Sequence, residues 1–105
     1  MNETQDSLNI LRKVQSKPNL SQRALAKELG FSTGKLNYCL VALKERGLLK
    51  IKNFKKNPNK LSYTYFLTPK GFSFKTRLTI SFMKRKMKEY DELKSELTKK
   101  NNYEK

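Results

Sequence analysis

Apolar residues recur along this chain in helical, alternating and coiled-coil rhythms, one after another. From about Gln5 to Ser16, Leu8, Leu11 and Val14 recur at the three-residue steps of one helical face, and Pro18 cannot continue a helix beyond them. Thr4 or Asp6 can cap its start, and Leu20 seats the chain before the next element. A second short helix opens after Ser21, whose hydroxyl can accept from free first-turn amides, and it would bury Ala24, Leu25 and Leu29. Gly30 supplies the left-handed residue that ends it. Phe31 is apolar and Ser32 is a second cap. Leu36, Cys39, Leu40 and Leu43 then give another buried stripe, closed by Gly47.

After Gly47 the period changes to two. Leu49 and Ile51, then Leu61, Tyr63, Tyr65 and Leu67, alternate with polar residues as in half-buried strands. Between them lies Lys55-Lys56-Asn57-Pro58-Asn59-Lys60, a basic polar turn. Thr68-Pro69 launches a helix, because a proline at the first helical position forgoes an amide that would have had no partner. A helix from Pro69 to about Lys99 would run roughly 45 Å, more than so small a domain can cover. Its residues Ile80, Met83, Met87, Tyr90 and Leu97 occupy alternating three- and four-residue steps, with Lys94 breaking the series and Leu93 beside it. This is a short, imperfect coiled-coil seam whose natural partner is the same helix of a second chain. Folding back on its own domain is the alternative.

These elements predict an α+β fold, mainly α. Residues 5–68 would form a winged helix-turn-helix, with a three-helix core and a two-stranded β-hairpin wing. A long C-terminal dimerisation helix over 69–99 and a disordered tail over 100–105 would follow. The short glycine-containing turn between the second and third helices is the connection expected of a helix-turn-helix, although a plain helical hairpin shares the spacing.

Charge favours the first of these. The chain has 105 residues, enough for one domain, and a formal charge of +15 from 24 Lys and Arg against 9 Asp and Glu. No acidic residue falls between Glu45 and Glu89, whereas cations run from Arg46 to Lys88. A one-signed stretch of this kind is the footprint of a polyanionic partner. Other chemistry is sparse. There is no histidine, and one cysteine permits neither an intrachain disulfide nor a zinc cluster. The few glycines form no phosphate-cradling loop, so no reaction, metal or cofactor is expected. No apolar run approaches a membrane span or a signal-peptide core, and a cytoplasmic protein is expected.

The run from Ser21 through Gly47-Leu48-Leu49, the lysine-rich hairpin and Leu67-Thr68-Pro69-Lys70-Gly71 resembles the winged helix-turn-helix of MarR-type transcriptional regulators. Asn37-Tyr38-Cys39-Leu40 and Lys50-Ile51-Lys52-Asn53-Phe54 look most like the small branch described as exopolysaccharide-associated regulators. The resemblance spans roughly residues 5 to 97. It implies a bacterial homodimer bound to double-stranded DNA at the nucleoid. MarR-type chains are commonly longer, with extra helices framing a ligand pocket, so no small-molecule effector is expected here.

A twofold dimer would set two recognition helices about 34 Å apart, one turn of duplex, and so read an inverted repeat. Thr33, Lys35, Asn37 and Tyr38 would approach base edges, with Gly34 permitting close backbone approach. Asn37 can pair with adenine, Lys35 can donate to guanine, and Tyr38 can donate or pack on a thymine methyl. Phosphates would be held by Ser21, Gln22 and Arg23 at the second helix start, by Ser32, and by the wing lysines Lys55, Lys56 and Lys60. Lys44 and Arg46 would add longer-range charge. Dimerisation falls to Ile80, Met83, Met87, Tyr90, Leu93 and Leu97. Cys39 lies on an apolar stripe, where a small buried hydrophobe is the ordinary role. The competing reading is an RNA- or ribosome-binding winged helix, which small basic proteins of this shape can also be.

Overall fold

The computed structural model of the protein describes residues 3–54 and 62–103. Along the described chain run α1 (Glu3–Ser16), α2 (Gln22–Leu29), α3 (Thr33–Glu45), β1 (Leu49–Phe54), β2 (Ser62–Leu67) and α4 (Pro69–Tyr103). The two strands pair antiparallel, from Leu49 opposite Leu67 to Phe54 opposite Ser62. Three helices, a hairpin and a long final helix are the architecture of a winged helix-turn-helix.

One apolar core joins these elements. It takes Ile10, Leu11 and Val14 from α1, Leu25 and Ala26 from α2, Leu36, Leu40 and Leu43 from α3, and Leu48, Leu49 and Tyr65 from the hairpin. The periodicity reading is right for Leu8, Leu11 and Val14 but omits Ile10, which is fully buried. The reason is that α1 packs against α2, β2 and α4 together, so a wider arc of it is covered than one partner would cover. Helix α1 also starts two residues before Gln5. Thr4 and Asp6 are therefore interior positions rather than caps.

Strand alternation holds at Tyr65, which is buried, and at Phe66, which is exposed. It fails at Thr64, a polar residue that is 9% exposed. Its hydroxyl donates to Asn19 Oδ1 at 3.0 Å, and the Tyr65 amide donates to the Pro18 carbonyl at 3.0 Å. The segment after α1 thus lies along the outer edge of β2 and satisfies the polar atoms it covers.

Thr68 caps α4 as its Thr-Pro sequence predicts: Oγ1 accepts from the Gly71 amide at 2.9 Å. The same hydroxyl donates to the Gly47 carbonyl at 2.6 Å, and the Thr68 amide donates to Leu48 at 3.2 Å. Gly71 is demanded by this crossing, since a Cβ on it would collide with the Leu48 carbonyl oxygen. Phe74 packs against the core from the next turn, and Arg46 stacks over its ring at 4.7 Å. Lys75 reaches Gln15 of α1. Beyond Phe82, every α4 side chain through Lys99 is exposed.

Helix α4 has 35 residues, roughly 52 Å, and continues to Tyr103 rather than ending at Lys99. No glycine or proline follows Gly71, and the distal sequence is rich in the good helix formers Lys, Glu and Leu. The tail expected to be disordered from residue 100 is helical through 103, and residues 104–105 lie outside the described residues. Its projection gives the chain a radius of gyration of 18.7 Å, against about 13 Å for a compact chain of this length.

Candidate nucleic-acid interface

The α2–turn–α3 unit is built from local hydrogen bonds. Ser21 Oγ accepts from the Ala24 amide at 3.1 Å, and Ser32 Oγ accepts from the Lys35 amide at 3.1 Å. Between them Gly30 adopts φ 72°, and its amide and that of Phe31 donate back to Lys27 and Ala26. A left-handed residue there is cheap only for glycine. The turn directs Phe31 toward the core and starts α3 at Thr33.

Burial of Leu36, Leu40 and Leu43 then sets the rotation of α3. At about 100° per residue, the outward row consists of Gly34, Asn37, Tyr38 and Val41, ending at Glu45. All are exposed, Tyr38 at 72%. Thr33 and Lys35 flank this row on opposite sides. Val41, 44% exposed, is a member that polar-residue reasoning missed: its apolar side chain suits a thymine methyl. Its place one helical turn after Asn37 was the available signal. Glu45 ends the row with a negative charge, which favours contact near the start of α3.

Gln22, Asn37 and the α2 start come together. Gln22 Nε2 donates to Asn37 Oδ1 at 3.4 Å, linking the first residue of α2 to the middle of the outward row. Ser21 and Arg23 are exposed beside it, and Gln22 is half-buried. The Ser21 and Ser32 oxygens serve as caps, which leaves each hydroxyl proton available for donation to a phosphate.

Lys35 is engaged elsewhere. Its Nζ lies 3.1 Å from Asp6 Oδ2 of α1 and 4.3 Å from the centroid of the Phe31 ring. Arg46, expected to add longer-range charge, is exposed and stacks on Phe74 of α4, where it keeps its charge. Lys44 remains exposed. The wing residues Lys55, Lys56 and Lys60 lie outside the described residues. On the described part of the wing, Lys50 and Lys52 are exposed, and Lys52 Nζ lies 5.6 Å from the Phe66 ring centroid. They share one face of β1 and extend the basic surface toward the hairpin tip.

The expected dimer residues form the other exposed surface. Ile80, Met83, Met87, Tyr90, Leu93 and Leu97 are each between 48% and 64% exposed. Cys39 is half-buried against the core. Among the described residues, no group of three His, Cys, Asp or Glu side chains could hold a metal ion, and no helix is long and apolar enough to cross a membrane.

Comparison with known proteins agrees with this geometry. Residues 7–50 match a family described as winged helix-turn-helix DNA-binding. No curated protein sequence matches the chain significantly. Among solved structures, the transcriptional repressor CouR bound to a 23-mer DNA duplex is similar, with 24% identity, TM-score 0.69, and 82% of this chain and 59% of that one covered. A Staphylococcus aureus MepR point mutant bound to an oligodeoxyribonucleotide shares 20% identity at TM-score 0.66, covering 100% of this chain and 80% of its own. A MarR-family transcriptional regulator from Silicibacter pomeroyi shares 22% identity at TM-score 0.57, over 70% of this chain and 47% of its own. The chain thus spans less than two thirds of the length of CouR and of the Silicibacter protein. Residues 7–50 thus match a winged helix-turn-helix DNA-binding family, and the chain has the fold seen in the MarR-family transcriptional regulators.

Proposed function

We propose that this protein is a sequence-specific regulator of transcription that binds double-stranded DNA as a homodimer on an inverted repeat. The observation that carries the reading is the outward row of α3. Asn37 and Tyr38 stand exposed near the capped start of a helix whose opposite face is locked into the core. A rigid helix presenting a polar face beside a second helix N-terminus suits a major groove flanked by phosphates. The exposed Lys50 and Lys52 add backbone contacts, and Lys55, Lys56 and Lys60 would continue them at the hairpin tip.

The apolar seam on α4 supports the homodimer. Two such helices packed together would cover side chains that one chain leaves in water. Doubling the +15 charge of one chain makes binding steeply salt-dependent. CouR and MepR, similar in fold, were each solved on DNA, which favours the same partner here. Genes of surface polysaccharide synthesis are the targets that the branch resemblance suggests.

Selecting bound duplexes from a random pool, followed by footprinting and sedimentation of the complex, tests this. The expected product is a two-chain complex protecting an inverted repeat with half-site centres about 34 Å apart. Tighter binding of structured RNA than of any selected duplex at matched salt would overturn it in favour of an RNA-binding winged helix.

A further inference from the structure

Lys35 stands apart from the other polar residues near the start of α3. The outward row is Gly34, Asn37, Tyr38 and Val41, and Lys35 lies about a third of a turn away from its centre. It shares that flank with the half-buried Cys39 and Ala42. The flank faces α1, where Asp6 meets the ammonium at 3.1 Å while the Phe31 ring covers it at 4.3 Å. The Asp6 side chain is 20% exposed and that of Lys35 is 48% exposed, so the pair is screened less than one on open surface. The lysine therefore has a carboxylate, an aromatic face and a helix flank that all draw it away from the outward row.

Resting on the DNA-binding reading above, we propose that Asp6 is a positioning residue that sets the specificity of the interface by holding Lys35 out of the major groove. An unrestrained ammonium near the start of a recognition helix can reach a phosphate, or a guanine acceptor, on almost any duplex. Such a contact strengthens binding everywhere and discriminates poorly. Pairing it with Asp6 removes that contribution and leaves sequence reading to the fixed row of Asn37, Tyr38 and Val41. Phe31, part of the turn itself, backs the pair, so the restraint is anchored to the element that positions α3.

The test is a cycle on the full chain: wild type, Asp6→Asn, Lys35→Met, and the double variant. Each is measured on the selected operator and on a scrambled duplex over a salt series, with a thermal melt to confirm folding. Asp6→Asn should bind scrambled DNA more tightly and lower the operator-to-scrambled ratio. Its slope of log K against log salt should become more negative by about 0.9, one released counterion. Its gain on scrambled DNA should therefore shrink about 3.5-fold between 50 and 200 mM salt. Lys35→Met alone should keep the wild-type slope, and the double variant should return to it. A merely structural role for Asp6 would not produce a slope change that disappears with Lys35.

Two results would overturn the assignment by giving the effect another cause. One is an Asp6→Asn gain that survives in the Lys35→Met background, which would mark a general loss of negative field. The other is a flatter slope for Lys35→Met alone, which would show Lys35 on DNA in the wild-type complex. A silent Asp6→Asn with an intact operator sinks only this assignment, whereas a wild type that prefers no duplex sinks the DNA-binding reading with it.

Discussion

Helix α3 and the distal half of α4 are both helices with a face open to water, yet the two faces have opposite chemistry. The open row of α3 carries Gly34, Asn37, Tyr38, Val41 and Glu45, and its reverse side is locked by Leu36, Leu40 and Leu43. The distal part of α4 opens Met83, Met87, Tyr90 and Leu97, and beyond Phe82 it has no buried side. A polar row keeps its hydration until a polar partner replaces the water, so it can stand exposed at little cost. Large apolar side chains in a row cannot, and a helix with no packed face draws little stability from its tertiary surroundings. The contrast matches the two tasks proposed above, a hydrated, charged surface for α3 and another apolar helix for α4.

The most disruptive way to test that division is to detach α4 from the body. Gly71→Ala places a methyl group on the Leu48 carbonyl and should destabilise the protein by about 3 kcal/mol or more in urea unfolding at fixed protein concentration. Gly34→Ala is the counterpart on α3, where nothing lies within 4 Å of an added Cβ. It should raise stability by about 0.5–1 kcal/mol through helix propensity, while weakening operator binding if the backbone approaches DNA there.

Next comes the seam itself. Met83→Glu with Met87→Glu should weaken self-association about 100-fold, or about 2.7 kcal/mol, by sedimentation equilibrium. The circular dichroism of the winged domain should be unchanged. A dimer of wild-type strength after this change would show that α4 pairs through another face. Asn37→Ala is the complementary break: it should cost about 1–3 kcal/mol on the operator and flatten sequence preference while leaving the dimer intact. If the protected sequence is unaltered, the outward row has been assigned to the wrong face of α3.

The smallest effect is expected at a site outside both regions. Lys17 hydrogen-bonds Glu28 at 2.8 Å and holds its carboxyl below the ordinary 4.5, with desolvation opposing and the charges of Lys17 and Lys13 assisting. Because the folded value is the lower one, the pair contributes stability above about pH 4.5 and loses it as pH falls through the folded value. Glu28→Gln should therefore lower the melting temperature slightly at neutral pH and match wild type at the acid end. The pair is exposed, so the difference should be small.

Much of the architecture was legible because it is specified over short distances. The Ser21, Ser32 and Thr68 caps, the left-handed Gly30 and the stripe of Leu36, Leu40 and Leu43 each depend on residues within a turn or two of helix. The misses at Ile10, Thr64 and Gly71 involve residues far apart in the chain. Ile10 is buried because α4 and β2 close over α1 from different sides, and Thr64 is buried because Asn19 arrives to accept from it. Nothing near Gly71 in the chain announces that the Leu48 carbonyl will occupy the space of a side chain.

The candidate site divides in the same way. Chemistry and helical phase pointed to Asn37 and Tyr38, and burial of the opposite stripe turns both outward. Lys35 belongs to the same stretch, but its ammonium lies beside Asp6 and the Phe31 ring on another flank. Sequence alone determined the caps of α2, α3 and α4, which faces are apolar and which sign of charge dominates, because hydrogen-bond capping and side-chain period act locally. Only the tertiary structure decided which polar residues stand open, because an ammonium goes to whichever carboxylate the fold brings within reach, as Asp6 of α1 comes within 3.1 Å of Lys35.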